Sequence, residues 1–241
     1  VEQAQDLSDK LDSHFQVEGI CTHFINGEDA DINEGFSAQQ IRAFARVESA
    51  FAKQNPIVHY LNSAAMIVGA IKPQENILSK KQNVGCRPGV SMYGISPVSK
   101  PHAHDLKPIM SIESRIELLR NVKVGDVVSY GPQWKAKRDS VIGVVPIGYA
   151  DGYFRGLTNT GEMIYNGRRV PVCGIVCMDY CMVDLTDSKI APKIGDKIIV
   201  VGHEGQESVT MSELAQKLNT IPYEILTRIG KRLTRVAETS A

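Results

Sequence analysis

The 241-residue sequence lacks an excess of charge of either sign, since 27 basic residues balance 27 acidic ones. A binder that works by neutralising phosphates needs a basic surplus, so the balance argues against a nucleic-acid partner. Long apolar runs are also missing. Polar residues interrupt each one well short of the roughly 20 residues that a membrane span requires. No charged start with an apolar centre marks a secretory signal. Cysteine is scarce and odd in number, five in all. That is too few for a disulfide scaffold and points to a reducing compartment. Glycine and proline, at 20 and 11, are ordinary and argue against long disorder. The chain opens on Val1 rather than methionine, as expected of a processed, trimmed or partial polypeptide. What it has in quantity is apolar surface: 43% of residues are hydrophobic, enough for a sizeable core in one large domain or two small ones.

Residues 1–97 alternate strand-like and helix-like segments. Residues 4–14 carry spaced apolar positions and read as a helix end. Val17 to Phe24 (VEGICTHF) reads as a short strand, and residues 37–54 as a helix with Ser37 at its N-cap. Ile57 to Leu61 (IVHYL) is a second strand, after which Asn62 and Ser63 open a helix over SAAMIVGAI. Residues 84–87 (VGCR) make a third strand, and Pro88 sits where proline suits a first helical turn. Such strand–helix repeats imply parallel strands with helical crossovers. From about Pro101 the pattern changes. Segments 109–122, 124–130, 140–147, 162–173, 176–185 and 197–202 are strand-like. Asn166-Gly167 between EMIY and RRVPV is a strong hairpin signal. Thr210 with Glu213 makes a capping box for a helix over 210–218. A last helix follows Pro222, with Lys231, Arg232 and Arg235 near its end, where cations suit the helix dipole. The pattern predicts α/β plus all-β architecture: a part-barrel domain over residues 1–97 and a mostly antiparallel β domain over 98–241.

Polar residues gather where the three early strands end: His23, then His59 with Asn62 and Ser63, then Arg87 with Gly89. In (β/α) barrels the active site lies at that end, and phosphate binds at nearby helix N-termini. Ser63 offers a hydroxyl there. Gly89 lets backbone approach closely, so its amide and that of Val90 can hold an anion. Taken singly, each residue is better read as a strand cap or turn residue. Three successive strand ends of one character favour a site.

The stretches EGICTHF, HYLNSAA, CRPGVSMYG, VSYG, PIGYADGYFR, VCMDYCMVDLT and TIPYEIL run in order from about residue 17 to 235. They resemble the C-terminal part of the alanine racemase family; RPGVSMYG and GYADGY are quite specific together. The resemblance implies a pyridoxal 5'-phosphate (PLP) enzyme built from a (β/α)8 barrel and a β domain. It would interconvert L- and D-alanine by two-base proton transfer at Cα of a PLP aldimine. Arg87 would sit at the pyridine nitrogen with His59 beside it. An arginine does not give up its proton at working pH, so the ring nitrogen stays unprotonated. The cofactor is then a weaker electron sink, which disfavours transamination and decarboxylation. Ser63, the amides of Gly89 and Val90, and the Tyr223 hydroxyl would hold the phosphate, with Asn62 among the cofactor contacts. Tyr130 would be a catalytic base. A phenol has a reference pKa of about 10, and a hydrogen bond from His23 would lower the cost of ionising it. The Met178 amide would bind the substrate carboxylate near Asp179, and Tyr149 and Arg155 would line the entrance. The family further implies a homodimer in which Tyr130 and Met178 serve the partner's site. It implies a small amino-acid substrate, no nucleic-acid or membrane partner, and a cytoplasmic bacterial setting that supplies D-alanine to peptidoglycan.

The family's cofactor lysine, in a motif like V-x-K-A-x-A-Y-G-H-G on the first barrel strand, is not found in these residues. Neither is its substrate-carboxylate arginine. Lys80 and Lys81 read as a polar loop, and Lys135 and Lys137 lie in the β domain. About three of eight strand–helix units are present, so the chain is expected to be incomplete by itself. Its expected partner is the missing N-terminal segment of the same enzyme. Ile175 stands where the family usually has a basic gate residue, which keeps a serine or broad-specificity racemase as an alternative. A related decarboxylase is disfavoured, because such enzymes place an acid where Arg87 stands. A non-catalytic folded fragment is the alternative from another class. Cys173, Cys177 and Cys181 recur every four residues but lack zinc-knuckle spacing and a nearby histidine, so no metal is expected. His102, His104 and Asp105 read as a solvated linker, and Lys135, Lys137 and Arg138 as a surface turn.

Overall fold

Side-chain alternation decides the first sheet. In the computed structural model, β1 (Gly19–Cys21), β2 (Ile57–Asn62) and β3 (Val84–Arg87) lie parallel in the order β1-β2-β3. Cys21 stands opposite His59, and His59 opposite Gly85. Val58 and Tyr60 point to one face, where Phe24, Ile41 and Phe44 complete a buried cluster. The period of two therefore sends His59 to the other face. Ile41 and Phe44 come from α2 (Gly35–Ala50), and the rings of Phe24 and Phe44 meet Tyr60 at 6.0 and 6.5 Å. α3 (Ser63–Val68) starts where β2 stops. α1 (Glu2–Lys10) is tied to the end of α2 by Ser8 Oγ, which donates to Ala50 O at 2.8 Å. Between α1, β1 and α2 lies an apolar cleft of about 550 Å³ lined by Leu7, Val17, Ile20, Phe44 and Phe51 among others.

The structure describes residues 2–11, 15–28, 34–68, 84–98 and 106–238. Lys80, Lys81, His102, His104, Asp105 and the tail of the SAAMIVGAI helix lie outside them. The chain divides into two compact units, Val1–Pro108 and Ile109–Ala241.

The second unit is antiparallel throughout. One sheet runs β11-β10-β7-β8, with β4 also on β10; the other runs β5-β6-β9. These strands are β4 (Ile112–Arg115), β5 (Leu118–Val122), β6 (Ser140–Val145), β7 (Glu162–Tyr165), β8 (Arg168–Pro171), β9 (Cys181–Asp184), β10 (Lys197–Glu204) and β11 (Glu207–Val209). Met163, Ile164, Val183 and Ile198 to Val201 form the interior. Two helices follow, α4 (Met211–Lys217) and α5 (Pro222–Arg228). Among the described residues no helix is long and apolar enough to cross a membrane.

The Asn166-Gly167 signal holds. Tyr165 pairs with Arg168, and both turn residues adopt positive φ, 48° and 68°. That is the pattern of a tight primed turn, whose twist matches the strands it joins. A Cβ on Gly167 would meet nothing within 4 Å. Gly167→Ala is therefore expected to cost about 1 kcal/mol through backbone conformation alone, read as a lower urea midpoint with an unchanged slope.

Several local expectations are corrected. Segment 124–130 is no strand: Gly125, Ser129 and Gly131 take φ of 95°, 70° and 61°, which breaks extension, and only Val127 bridges to Lys135. Segment 176–185 shrinks to β9, and Val17–Phe24 to β1. Ser37 caps nothing; the helix begins earlier, and the buried Ser37 Oγ donates to Asn26 O at 2.6 Å. Pro88 precedes a short 3-10 turn over Val90–Tyr93 rather than opening an α-helix. The capping box is half made. Thr210 Oγ1 accepts from Glu213 N at 3.1 Å, but Arg169 draws the Glu213 carboxylate away with bonds of 2.6 and 2.7 Å. The same guanidinium holds Glu213 below the usual carboxylate range, with Lys217 adding to the effect and burial opposing it.

Candidate active site

In the first unit the residues expected at the strand ends come together. His59 lies on the face opposite the apolar cluster, and Gly85 beside it leaves room for the ring: a Cβ there would sit 3.1 Å from His59 Cβ. Arg87, two residues along the same strand, reaches it, with Nη1 and His59 Nδ1 3.0 Å apart. A guanidinium only donates, so Nδ1 accepts and the imidazole carries its proton on Nε2. That bond uses one of the five N–H groups of Arg87. The remainder of its fork is available to a planar acceptor.

Ser63 is buried at the start of α3, and its Oγ is a meeting point. Gly89 N donates to it at 2.8 Å, Ser91 N at 3.4 Å and Ser91 Oγ at 3.0 Å. Gly89 thus lies beside Ser63, as its place at a strand end implies. The amide of Ser91 converges there as well, and Val90 between the two buries its side chain. Ser91 is a donor that the sequence motifs did not single out; it lies two residues after Gly89 in the same turn. Asn62 caps α3, its Oδ1 accepting from Ala65 N at 3.0 Å, while its Nδ2 donates to Phe24 O at 3.4 Å. His23 is exposed just beyond β1. Gln40 of α2 steadies that turn, donating to His23 O at 2.6 Å and to Thr22 Oγ1 at 2.9 Å.

In the second unit, Tyr130 is 73% exposed on a tight turn. Ser129 in front of it occupies the left-handed region, which costs a non-glycine residue about 1–3 kcal/mol. Its hydroxyl donates to Ile175 O at 2.7 Å and holds the turn down. Ile175 itself is buried. Tyr149 opens a 3-10 turn over Tyr149–Asp151 that lies directly on the Met178 segment: Tyr149 N donates to Cys177 O and Ala150 N to Met178 O, each at 3.0 Å. Arg155 starts the next short turn and is exposed. Tyr223 is the second residue of α5 and is half-exposed.

Asp179 is not alone. Arg232 Nη2 donates to its Oδ1 at 2.6 Å, and the same guanidinium grips the buried Asp151 at 2.5 and 3.0 Å. Burial pushes the Asp151 carboxyl up, but Arg232 and the Gly148 amide outweigh it and hold it below the usual range. The helix-dipole role expected for Arg232 is thereby corrected, since α5 ends at Arg228.

The three spaced cysteines do not share a strand face. Only Cys181 lies in a strand; Cys173 and Cys181 are buried, and burial raises the Cys173 thiol to about 12. Among the described residues no cluster of three or more His, Cys, Asp or Glu could hold a metal ion.

Comparison with known proteins agrees along the whole chain. Residues 1–97 match the family model of the alanine racemase N-terminal domain, and 109–237 that of the C-terminal domain. The alanine racemase of Thermodesulfovibrio yellowstonii is 35% identical over 224 residues, covering 92% of this chain and 56% of the relative. That of Clostridium novyi is 33% identical over 228 residues, with 92% and 56% covered. The chain thus spans about half the length of the curated relatives it matches. Among solved structures, alanine racemase from Bartonella henselae with covalently bound pyridoxal phosphate superposes with a TM-score of 0.75 at 30% identity, over 98% of this chain and 61% of that one. The enzyme of a D-cycloserine-producing Streptomyces lavendulae gives 0.82 at 27% identity, over 100% and 61%.

Proposed function

Because the chain belongs to the alanine racemase family, we propose that its 241 residues form the cofactor-ring, phosphate and partner-facing portion of an enzyme that interconverts L- and D-alanine. One observation carries the reading: the Arg87–His59 pair lies on the two strands that run directly into the Ser63, Gly89 and Ser91 donors. The donor set fits PLP. A phosphate needs N–H and O–H donors gathered in one place; Gly89 N, Ser91 N and Ser91 Oγ gather on Ser63 Oγ, and a phosphate there would take over these donors together with the Val90 amide. A pyridine nitrogen needs a single donor, and Arg87 offers one that cannot be lost.

When bound, PLP supplies the electron sink that makes the α-proton of an amino acid removable. The chain's own residues supply part of the rest. Ser63, Gly89 and Ser91 hold the phosphate end, with Tyr223 as a further phosphate contact. His59 fixes the plane of the Arg87 fork. Tyr130, presented on its strained turn, takes or returns a proton on one face of Cα, in the site of a partner subunit, with His23 as its tuning neighbour. The Met178 amide receives the substrate carboxylate, and Tyr149 and Arg155 border the approach. The proton on the other face belongs to a lysine outside the motifs of these residues. In this reading the segment that carries it docks on the edge of β1 that is unpaired among the described residues, beside the apolar cleft.

The test is chiral analysis of alanine, and of serine beside it, with the complete enzyme and with Arg87→Glu. The parent enzyme is expected to racemise alanine. The variant is expected to lose at least about a hundredfold in rate, the scale of removing one preorganised donor, and to release pyruvate as transamination rises. A parent enzyme that leaves alanine untouched would refute the reading.

A further inference from the structure

We propose that Arg232 is a positioning residue for substrate-carboxylate binding, acting by clamping the Tyr149–Asp151 turn onto the Cys177–Asp179 segment and so aiming the Met178 amide. The inference rests on the reading above that this amide receives the carboxylate, and adds a residue to it.

Three stretches of chain meet at Asp151. The turn comes first, and the buried Asp151 side chain closes it by accepting from Gly148 N at 3.0 Å. The Met178 segment lies against it. A Cβ on Gly148 would fall 2.3 Å from the carbonyl oxygens of both Cys177 and Met178, so the two backbones touch. The C-terminal stretch closes the other side: Gly230 N donates to Asp151 O at 2.8 Å, and a Cβ on Gly152 would sit 2.5 Å from Arg228 O.

The turn fixes the Met178 amide through a single peptide plane. Cys177 C=O and Met178 N–H belong to the same trans peptide, so they point in opposite directions. Tyr149 N holds that carbonyl at 3.0 Å. The Met178 N–H is therefore turned away from the turn, and the residue itself is exposed. Anything that loosens the turn lets this plane rotate. The Arg232 fork is what ties the two partners by side chain: Nε and Nη2 take both oxygens of Asp151, and Nη2 also takes Asp179 Oδ1. A planar guanidinium spans both carboxylates at once, whereas a lysine is one point charge. Without any cation here, Asp179 would also stand unpaired one residue from an incoming carboxylate, and repulsion would add to misalignment.

The experiment compares Arg232→Lys and Arg232→Met with the parent, all as the complete enzyme. It measures kcat and KM for alanine, the inhibition constant of acetate (a carboxylate with no amine) and that of ethylamine (an amine with no carboxylate). Arg232→Lys is expected to raise KM and the acetate constant at least fivefold, and Arg232→Met at least twentyfold. The expected kcat stays within threefold and the ethylamine constant within twofold. Arg232→Lys with parental KM and acetate inhibition overturns the proposal, whether or not Arg232→Met folds. So does an equal weakening of acetate and ethylamine, or loss of folded structure in both variants, each of which makes Arg232 a general structural residue. A parent enzyme that neither racemises alanine nor is inhibited by acetate is instead a failure of the underlying reading, and takes the proposal with it.

Discussion

A polypeptide of these 241 residues alone is expected to racemise alanine no faster than buffer does, and to develop no absorbance band of lysine-bound cofactor when mixed with PLP. The cradle can still receive the phosphate group, since Ser63, Gly89 and Ser91 converge within this chain. In the proposed reading these residues lack a covalent anchor and a base for one face of Cα. None of the chain's lysines stands in the family's cofactor motif. Covalent capture and general-base transfer each contribute by orders of magnitude, and two-base inversion fails when either base is lost. Adding the lysine-bearing segment in trans is expected to restore both the band and turnover. The docking place proposed for it is the edge of β1, which pairs on one side only among the described residues, beside a cleft lined by Leu7, Ile20, Phe44 and other apolar side chains. Racemisation by the isolated chain would mean that one of its own lysines carries the cofactor, and would overturn this assignment.

Tyr130→Phe in the complete enzyme is expected to lower kcat about a thousandfold, within the range assigned to one general acid–base group. Phenylalanine keeps the ring on its turn and removes only the oxygen to which the proton transfer is assigned. The turn does not depend on that oxygen, because Ser129 Oγ and Ile175 O hold it. Melting temperature and KM are therefore expected to stay close to the parent's. Both directions must slow equally, since the two enantiomers have equal free energy. In heavy water the variant is expected to exchange the α-proton of one enantiomer without inverting it, because the second base still reaches its own face. A variant within tenfold of the parent rate would remove Tyr130 from the base role.

Much of the first sheet can be read without coordinates, because strand period and strand-end chemistry are local. The alternation in IVHYLN puts Val58 and Tyr60 on one face and His59 on the other, and VGCR places Arg87 one step beyond Gly85 on the His59 face. Asn166-Gly167 likewise encodes its own turn through two backbones that tolerate positive φ. The stretch around Tyr130 defeats local reading for the same kind of reason. VGDVVSY has the composition of a strand, yet Ser129 enters the left-handed region, and the carbonyl that accepts its hydroxyl there lies 46 residues away.

The sequence by itself determined the chemical inventory: the guanidinium and imidazole at successive strand ends, the serine at a helix start, the phenol and the acidic CMDY segment. It did so because those groups act through types and short spacings. Only the tertiary structure decided their pairings. Ser91 joins Ser63 across 28 residues, and Arg232 reaches Asp179 across 53 and Asp151 across 81. A long side chain takes whichever partner the returning chain brings within hydrogen-bond reach, and that return is set by the packing of whole strands rather than by any neighbour in sequence.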